Sequence, residues 1–473
     1  MGFVFYDTET TGIDAAFDQI LQFAAIRTDP ELNELERFEI RCRLSPHIVP
    51  APGALRITKV VAAQLSDASL HSHYEMVCAI RARLLAWSPA IFVGYNSLHF
   101  DEHLLRQAFY KSLHPPYLTN RDGNTRSDAM RIVQAASLFA PGVLTFPPGP
   151  EGQPAFKLDL VAPLNGFVHA RAHDAIADVE ATIFLCRILM EKAPELWSSF
   201  MQFSQKAVVA DHVSTEPVFC LSDFYFGNPY SWVVTVIGSN SKNNSEFYVY
   251  NLSIDPQTLA GLSDNDLGER LAVSPKPVRR LKSNSGPIIM PVENAPAIAA
   301  AAQLGNEELI RRAEFIRSDD TFRERLVVAY EASRLELPPS PHLEQQLYDG
   351  FFSKEDEVLM ERFHAVPWED RPAIVRAFTD LRLRKIGRRL IYFERPDLLG
   401  DAERTSYERA IATRITNDDP EIPWLTLSAA VALLDELILA ADPEELAFLE
   451  EHRAHLAERS QRAAHTLSAP LNA

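Results

Sequence analysis

Phe3-Val4-Phe5-Tyr6-Asp7-Thr8-Glu9-Thr10-Thr11-Gly12 runs an apolar segment straight into two carboxylates spaced by two residues. The apolar residues Phe3 to Tyr6 read as a strand, and a side-chain period of two puts Asp7 and Glu9 on one face of it. Two neighbouring carboxylates at the end of a buried strand repel each other and cost several kcal/mol unless cations hold them. Hard divalent ions such as Mg²⁺ or Mn²⁺, which prefer oxygen ligands, meet that need. A solvated turn would also accommodate Asp-x-Glu, so the meaning of this stretch depends on what else the chain carries.

Two further motifs extend it. Ile91-Phe92-Val93-Gly94-Tyr95-Asn96-Ser97-Leu98-His99-Phe100-Asp101 is a second apolar strand that ends in polar residues and leads into a helix beginning near Asp101. Asp101 can face the site of the first motif, or it can cap the helix, as Asp commonly does. His173-Asp174-Ala175-Ile176-Ala177-Asp178 heads a strongly periodic helix over Ala175–Met190. Residues five apart on a continuous helix point about 140° apart. His173 is therefore expected in the loop before the helix, with Asp178 projecting from its first turns.

The three motifs, in this order and on these elements, resemble the DEDD exonuclease superfamily. Asp7, Glu9, Asp101 and Asp178 stand at its four acidic positions, and His173 resembles the histidine-bearing branch. The resemblance implies an α/β RNase H-like exonuclease domain, a mixed sheet flanked by helices, that hydrolyses phosphodiesters with two Mg²⁺ ions, for which Mn²⁺ can substitute. In that reading Asp7, Glu9 and Asp178 are the metal ligands, Asp7 bridging both ions. Asp101 orients the attacking water, and a neutral His173, with an ordinary pKa near 6.5, accepts its proton.

Segments beyond the motifs resemble the bacterial exodeoxyribonuclease I family: Gln22-Phe23-Ala24-Ala25-Ile26-Arg27-Thr28-Asp29, Asn228-Pro229-Tyr230-Ser231-Trp232-Val233 and Gln346-Leu347-Tyr348-Asp349-Gly350-Phe351-Phe352. This wider resemblance implies processive 3′→5′ digestion of single-stranded DNA to 5′-mononucleotides, in DNA repair and recombination. It further implies an SH3-like β-barrel module and an all-helical C-terminal domain around the substrate groove. The expected boundaries are 1–192, 195–340 and 343–473. The same five catalytic residues would serve an exonuclease that trims RNA or mixed 3′ ends, and a silent single-strand-binding relative is the alternative outside enzymes.

Residue patterns taken alone divide the chain in the same way. Strands are expected at Phe3–Tyr6, Gln22–Arg27 and Ile91–Tyr95, a helix over Tyr74–Ala86, and loops over Thr119–Thr125 and Pro141–Pro154. Short β-like runs (Trp232–Ile237, Glu246–Leu252, Pro287–Met290) then alternate with turn clusters such as Gly238–Asn244. The chain turns helical after Ala295, with the alanine-rich Ala295–Ala302 read as part of a helix, and stays so beyond Pro338-Pro339-Ser340-Pro341. At 473 residues it needs at least two cores. No segment has the length and hydropathy of a membrane span or the layout of a signal peptide, so a cytoplasmic protein is expected. Cys42, Cys78, Cys186 and Cys220 lack CxxC spacing, which predicts buried, reduced thiols rather than disulfides or structural zinc.

The formal charge of −18 counts against phosphate binding, yet a groove needs only a local basic track. Arg382-Leu383-Arg384-Lys385-Ile386-Gly387-Arg388-Arg389, followed by Tyr392, Phe393 and Arg395, offers one, with Arg384 and Arg388 as its expected substrate contacts. Lys157 occupies a place where the family carries a basic substrate contact, though a lysine lacks arginine's bidentate geometry. Asn96 and Glu9 complete the expected substrate-binding set. The resemblance also implies that the acidic C-terminal tail of single-strand-binding protein docks in a basic pocket, for which Arg311, Arg312, Arg317 and Arg323 are candidates. A groove made by one chain predicts a monomer.

Overall fold

The structure is a computed structural model that describes residues 1–168, 174–334 and 338–469. The first unit is built on a five-stranded sheet of β1 (Phe3–Thr10), β2 (Ile20–Thr28), β3 (Glu34–Arg41), β4 (Ile91–Gly94) and β5 (Thr125–Asp128), in the order β3-β2-β1-β4-β5. β1 pairs antiparallel with β2 and parallel with β4, which makes it the central strand of a mixed sheet. Its alternation assigns its neighbours. Phe3 and Phe5 enter the core formed with the helix Ala175–Lys192, whereas Val4 and Tyr6 enter the opposite core with the helices His73–Trp87 and Asp101–Lys111.

The first core extends beyond residue 192. Leu196, Trp197 and Phe200 of the helix Pro194–Gln202 belong to it, and the Trp197 ring lies 5.9 Å from that of Phe3. The expected loop over Thr119–Thr125 is a 3₁₀ turn (Leu118–Asn120) that leads directly into β5.

The second unit is one antiparallel sheet of β6 (Phe219–Tyr225), β7 (Asn228–Asn240), β8 (Asn243–Asn251), β9 (Val278–Lys282) and β10 (Ile288–Met290), in the order β10-β6-β7-β8-β9. Both of its faces are covered. Val234, Val249, Leu281 and Ile289 pack against Val209 and Val213 of the helix Lys206–Thr215. Val233, Ile237, Tyr248 and Tyr250 pack against Leu309, Ala313 and Ile316 of Asn306–Ser318 and Phe322 and Leu326 of Asp320–Ala332. Ala295–Ala302 is not part of an α-helix; only Ala300–Gln303 is wound, as a 3₁₀ turn, and the α-helix starts at Asn306.

The helical unit grips the first at two places. Tyr74, Tyr110 and Leu113 share a core with Leu347, Phe363, Phe378 and Leu383. At the other end the long helix Pro443–Ser468 reaches back: Arg459 donates to the carbonyls of Ile48 (2.7 Å) and Pro46 (2.8 Å), and Arg56 pairs with Glu445 at 3.0 Å. No helix among the described residues is long and apolar enough to cross a membrane.

Trp197→Ala tests whether the first core needs residues past 192. Truncating a buried tryptophan costs about 3–5 kcal/mol, so the variant's first unfolding transition should shift to clearly lower urea. An unchanged midpoint would mean that the Pro194–Gln202 helix is only appended.

Candidate active site

The alternation of β1 continues through its polar end. Asp7 and Glu9 follow Phe3 and Phe5 on the face turned to the Ala175–Lys192 helix. There Asp7, Glu9 and Asp178 bring carboxylate oxygens within 4.8 Å of one another. Thr8 follows Tyr6 on the opposite face, where its hydroxyl donates to Asp101 Oδ1 at 2.5 Å. The four acidic residues of the sequence motifs therefore converge on the end of one strand. Asp101 lies in the first turn of its helix and accepts from Thr8; the cap position is Phe100. His173 lies outside the described residues.

Burial and mutual repulsion dominate the electrostatics. Glu9 is pushed up to about 8 by burial, then by the charges of Asp178 and Asp101, with Arg41 pulling the other way. Burial, Asp101, Glu9 and Asp178 raise Asp7 well above the usual carboxylate range. Asp101 is pushed up to about 7 by burial, against the hydrogen bond from Thr8. Carboxylates that resist ionising beside one another, with oxygens this close, form a donor set suited to hard divalent cations. Asp7, Glu9 and Asp178 fit such an ion.

Residues that the sequence reading missed hold this arrangement. Glu102, next to Asp101, is buried and accepts from Arg106 (2.8 Å), Arg126 (2.9 Å), Thr119 (2.7 Å) and Tyr6 (3.1 Å). These contacts offset the cost of burying its charge and lower its pKa despite desolvation. The start of the Asp101 helix is thereby fixed to β1 and β5. Asp128, at the end of β5, accepts from the backbone N–H groups of Asn96 (2.8 Å) and Leu98 (3.1 Å) and so shapes the turn after β4. Asn96 takes φ 61°, a left-handed conformation that asparagine tolerates well. Spacing along the chain finds only the Glu102–Arg106 pair, since the remaining partners named here come from distant parts of the chain.

Beside the carboxylates lies a cavity of about 880 Å³, lined by Asp178, Asn96, Tyr95, Lys157, Phe156 and, from the second sheet, Phe224. Lys157 is exposed at the start of the helix Leu158–Leu164. A second cavity of about 470 Å³ between the same two units gathers Arg131, Arg279, Arg280, Lys282, Trp232 and Tyr225. The arginines of the expected basic track in the helical unit have partners within the chain. Arg384 donates to the Phe378 carbonyl, Arg388 pairs with Glu403 (2.7 Å) and Arg389 with Glu344 (2.7 Å). Arg382 pairs with Asp380, and Arg395 with Asp397 and Glu369. Tyr392 stacks on Tyr407 and Phe393 on His47. In the candidate partner pocket Arg311 and Arg312 pair with Glu308, Arg323 pairs with Asp320 and donates to the Arg317 carbonyl.

Residues 4–185 match the family model described as Exonuclease, and residues 341–459 match that of the exonuclease I C-terminal domain. Exodeoxyribonuclease I of Escherichia coli is 29% identical over 402 residues, 81% of this chain and 83% of that protein. The chain belongs to the exonuclease I family. Its fold is that of the crystal structure of E. coli exonuclease I in complex with a dA16 oligonucleotide, with a TM-score of 0.84 at 25% identity over 97% of this chain and 99% of that one. The zinc-bound form of the E. coli exonuclease I–single-stranded DNA complex is as similar, with a TM-score of 0.82 at 25% identity over 98% and 99%.

The raised Glu9 pKa has a definite sign in stability. Between its ordinary 4.5 and about 8, the folded metal-free chain holds a proton that the unfolded chain has released, so this group makes stability fall as pH rises through that window. In chelator, Glu9→Gln should raise the melting temperature at pH 8 by about 2–4 °C for each kcal/mol of repulsion relieved, and leave it unchanged near pH 4. Mn²⁺ at pH 8 should stabilise the wild type and leave Glu9→Gln nearly unmoved in a thermal scan. Equal metal stabilisation of both would remove Glu9 from the ligand set.

Proposed function

We propose that the chain is a divalent-metal-dependent exodeoxyribonuclease that shortens single-stranded DNA from the 3′ end and releases 5′-mononucleotides. The observation that carries this is the Asp7, Glu9 and Asp178 cluster at the margin of a cavity with apolar and basic walls. Unstacked bases find π and apolar surfaces on Tyr95, Phe156 and Phe224, as single-stranded nucleic acids require. Lys157 and the second cavity's Arg131, Arg279, Arg280 and Lys282 supply positive charge along the path of the phosphates. The E. coli relative bound to a dA16 oligonucleotide supports the choice of DNA.

Asp7, Glu9 and Asp178 would hold Mg²⁺ or Mn²⁺. When bound, such ions neutralise charge growing on the phosphoryl oxygens and on the leaving 3′-oxygen and make water a better nucleophile at neutral pH. Asp101, held by Thr8, orients the attacking water. His173 would take its proton. Asn96 and Glu9 position the terminal nucleotide. We further propose a cytoplasmic monomer working in DNA repair. An acidic C-terminal tail of single-strand-binding protein would compete with Glu308 and Asp320 for Arg311, Arg312 and Arg323.

The test is digestion of end-labelled single-stranded DNA, its duplex and a matching RNA with Mg²⁺. Rapid 3′ shortening of the single-stranded DNA alone, abolished in Asp7→Ala, is the expected result. Faster digestion of RNA would overturn the substrate, and binding without cleavage the enzyme itself. Lys157→Ala should weaken DNA binding and lower the slope of log affinity against log salt by about one unit, as loss of one phosphate contact does.

A further inference from the structure

Cys78, His114 and His364 reach one point from three separate elements: the helix His73–Trp87, the segment after Asp101–Lys111, and the helix Lys354–Ala365 of the helical unit. Their ligand atoms all lie within 4.8 Å of one another. Cys78 Sγ is 3.4 Å from His114 Nε2 and 4.0 Å from His364 Nδ1. A sulfur about 2.3 Å and a nitrogen about 2.0–2.1 Å from a tetrahedral ion stand roughly 3.5 Å apart. The first pair is already at that separation, and the second is about half an ångström beyond it.

The protonation pattern suits ligation. The Leu113 carbonyl, 3.0 Å from His364 Nε2, can only accept, so that nitrogen carries the proton and Nδ1 keeps its lone pair. A backbone carbonyl on the far nitrogen is how ligating histidines are commonly oriented. Nδ1 now accepts from the Tyr74 hydroxyl at 2.9 Å. His114 is buried at 3% exposure, and its Nδ1 has no hydrogen-bond partner. Its ring is stacked on that of His364 with centroids 3.7 Å apart. One ion can lie in both ring planes only if the stack opens, and His114, with no bond on Nδ1, is the ring able to turn. Burial keeps both imidazoles neutral, His364 being lowered to about 4 and His114 well below its ordinary value. Only the thiol, raised by burial to about 11, has a proton to give up.

We propose that Cys78, His114 and His364 form a second metal site, for a soft tetrahedral ion of the Zn²⁺ class, that ties the helical unit to the nuclease unit. The Tyr74 hydroxyl or a water takes the fourth position. This ion is distinct in chemistry from those suited to Asp7, Glu9 and Asp178: thiolate and imidazole select zinc or cobalt over magnesium, and all-carboxylate donors do not. Cys78 thus departs from the other three cysteines, which are fully buried, and from the expectation that no cysteine here serves a metal.

The full chain, reduced, stripped with a chelator and supplied with excess Mg²⁺ to occupy the carboxylates, would be titrated with Co²⁺. The expected result is a near-ultraviolet thiolate-to-cobalt charge-transfer band that saturates at one equivalent and is displaced by Zn²⁺. Asp7→Asn and Cys220→Ser should keep it. Cys78→Ser should lose it, and His114→Phe, which retains the stack, should weaken cobalt binding at least about tenfold. Absence of the band in the wild type would leave only a thiol–imidazole hydrogen bond and overturn the proposal, whatever the variants do. A band that survives Cys78→Ser would overturn it as well.

Discussion

Repulsion among Asp7, Glu9 and Asp178 is the constraint on which the rest of this structure depends. Three carboxylates with oxygens within 4.8 Å, at the end of a buried strand, would drift apart or protonate unless their backbones were fixed. β1 fixes two of them through its pairing with β2, Asp7 opposite Ala24 and Glu9 opposite Gln22, and its pleat then decides what each residue meets. The odd positions reach Asp178 and the even positions reach Asp101. The Glu102 network with Arg106 and Arg126 locks the second of these contacts, and removing Glu102 would leave the buried arginines without their carboxylate. Instability at the acidic cluster is thus contained by order in the elements around it.

The two other units act on that cluster from outside. The second sheet is packed by helices on both faces, so it presents a rigid wall, and Phe224 of β6 closes one side of the cavity that reaches Asp178. The helical unit holds the first unit at Tyr74, Tyr110 and Leu113 and again at Pro46, Ile48 and Arg56. Two separated attachments resist hinge motion better than one of equal area.

What the sequence made legible follows from range. β1, β4 and the helix Ala175–Lys192 declare themselves by local apolar periodicity, and the four acidic positions by their place at the ends of those elements. β3 and β5 do not. Glu34–Arg41 is a largely exposed edge strand rich in charge, and Thr125-Arg126-Ser127-Asp128 is wholly polar, buried only because Glu102 and the Asn96 turn await it. The basic run at Arg382–Arg395 is legible as a run of charge, but not every carboxylate it pairs with is legible from nearby sequence. Asp380 and Asp397 lie beside the arginines they pair with, whereas Glu344, the partner of Arg389, lies 45 residues away.

Those pairings bear on how an acidic protein can accommodate a polyanion. A count of charges gives −18, but the field at a groove is set by the charges within about a Debye length, roughly 8–10 Å, and by whether they are already neutralised. Arg388 and Arg389 face carboxylates of their own unit and add little net field. The second cavity also contains acid: Arg131 is 3.5 Å from Asp223, and Arg280 pairs with Glu246 at 3.2 Å. Arg279 is different, because its guanidinium lies 3.5 Å over the Trp232 ring. A cation–π contact orders the side chain without pairing it to a carboxylate, although the charge of Asp223 still acts on it. A charge ordered by an aromatic face is thus one source of positive field in an acidic chain, and Arg279 sets such a charge at the cavity between the nuclease and sheet units.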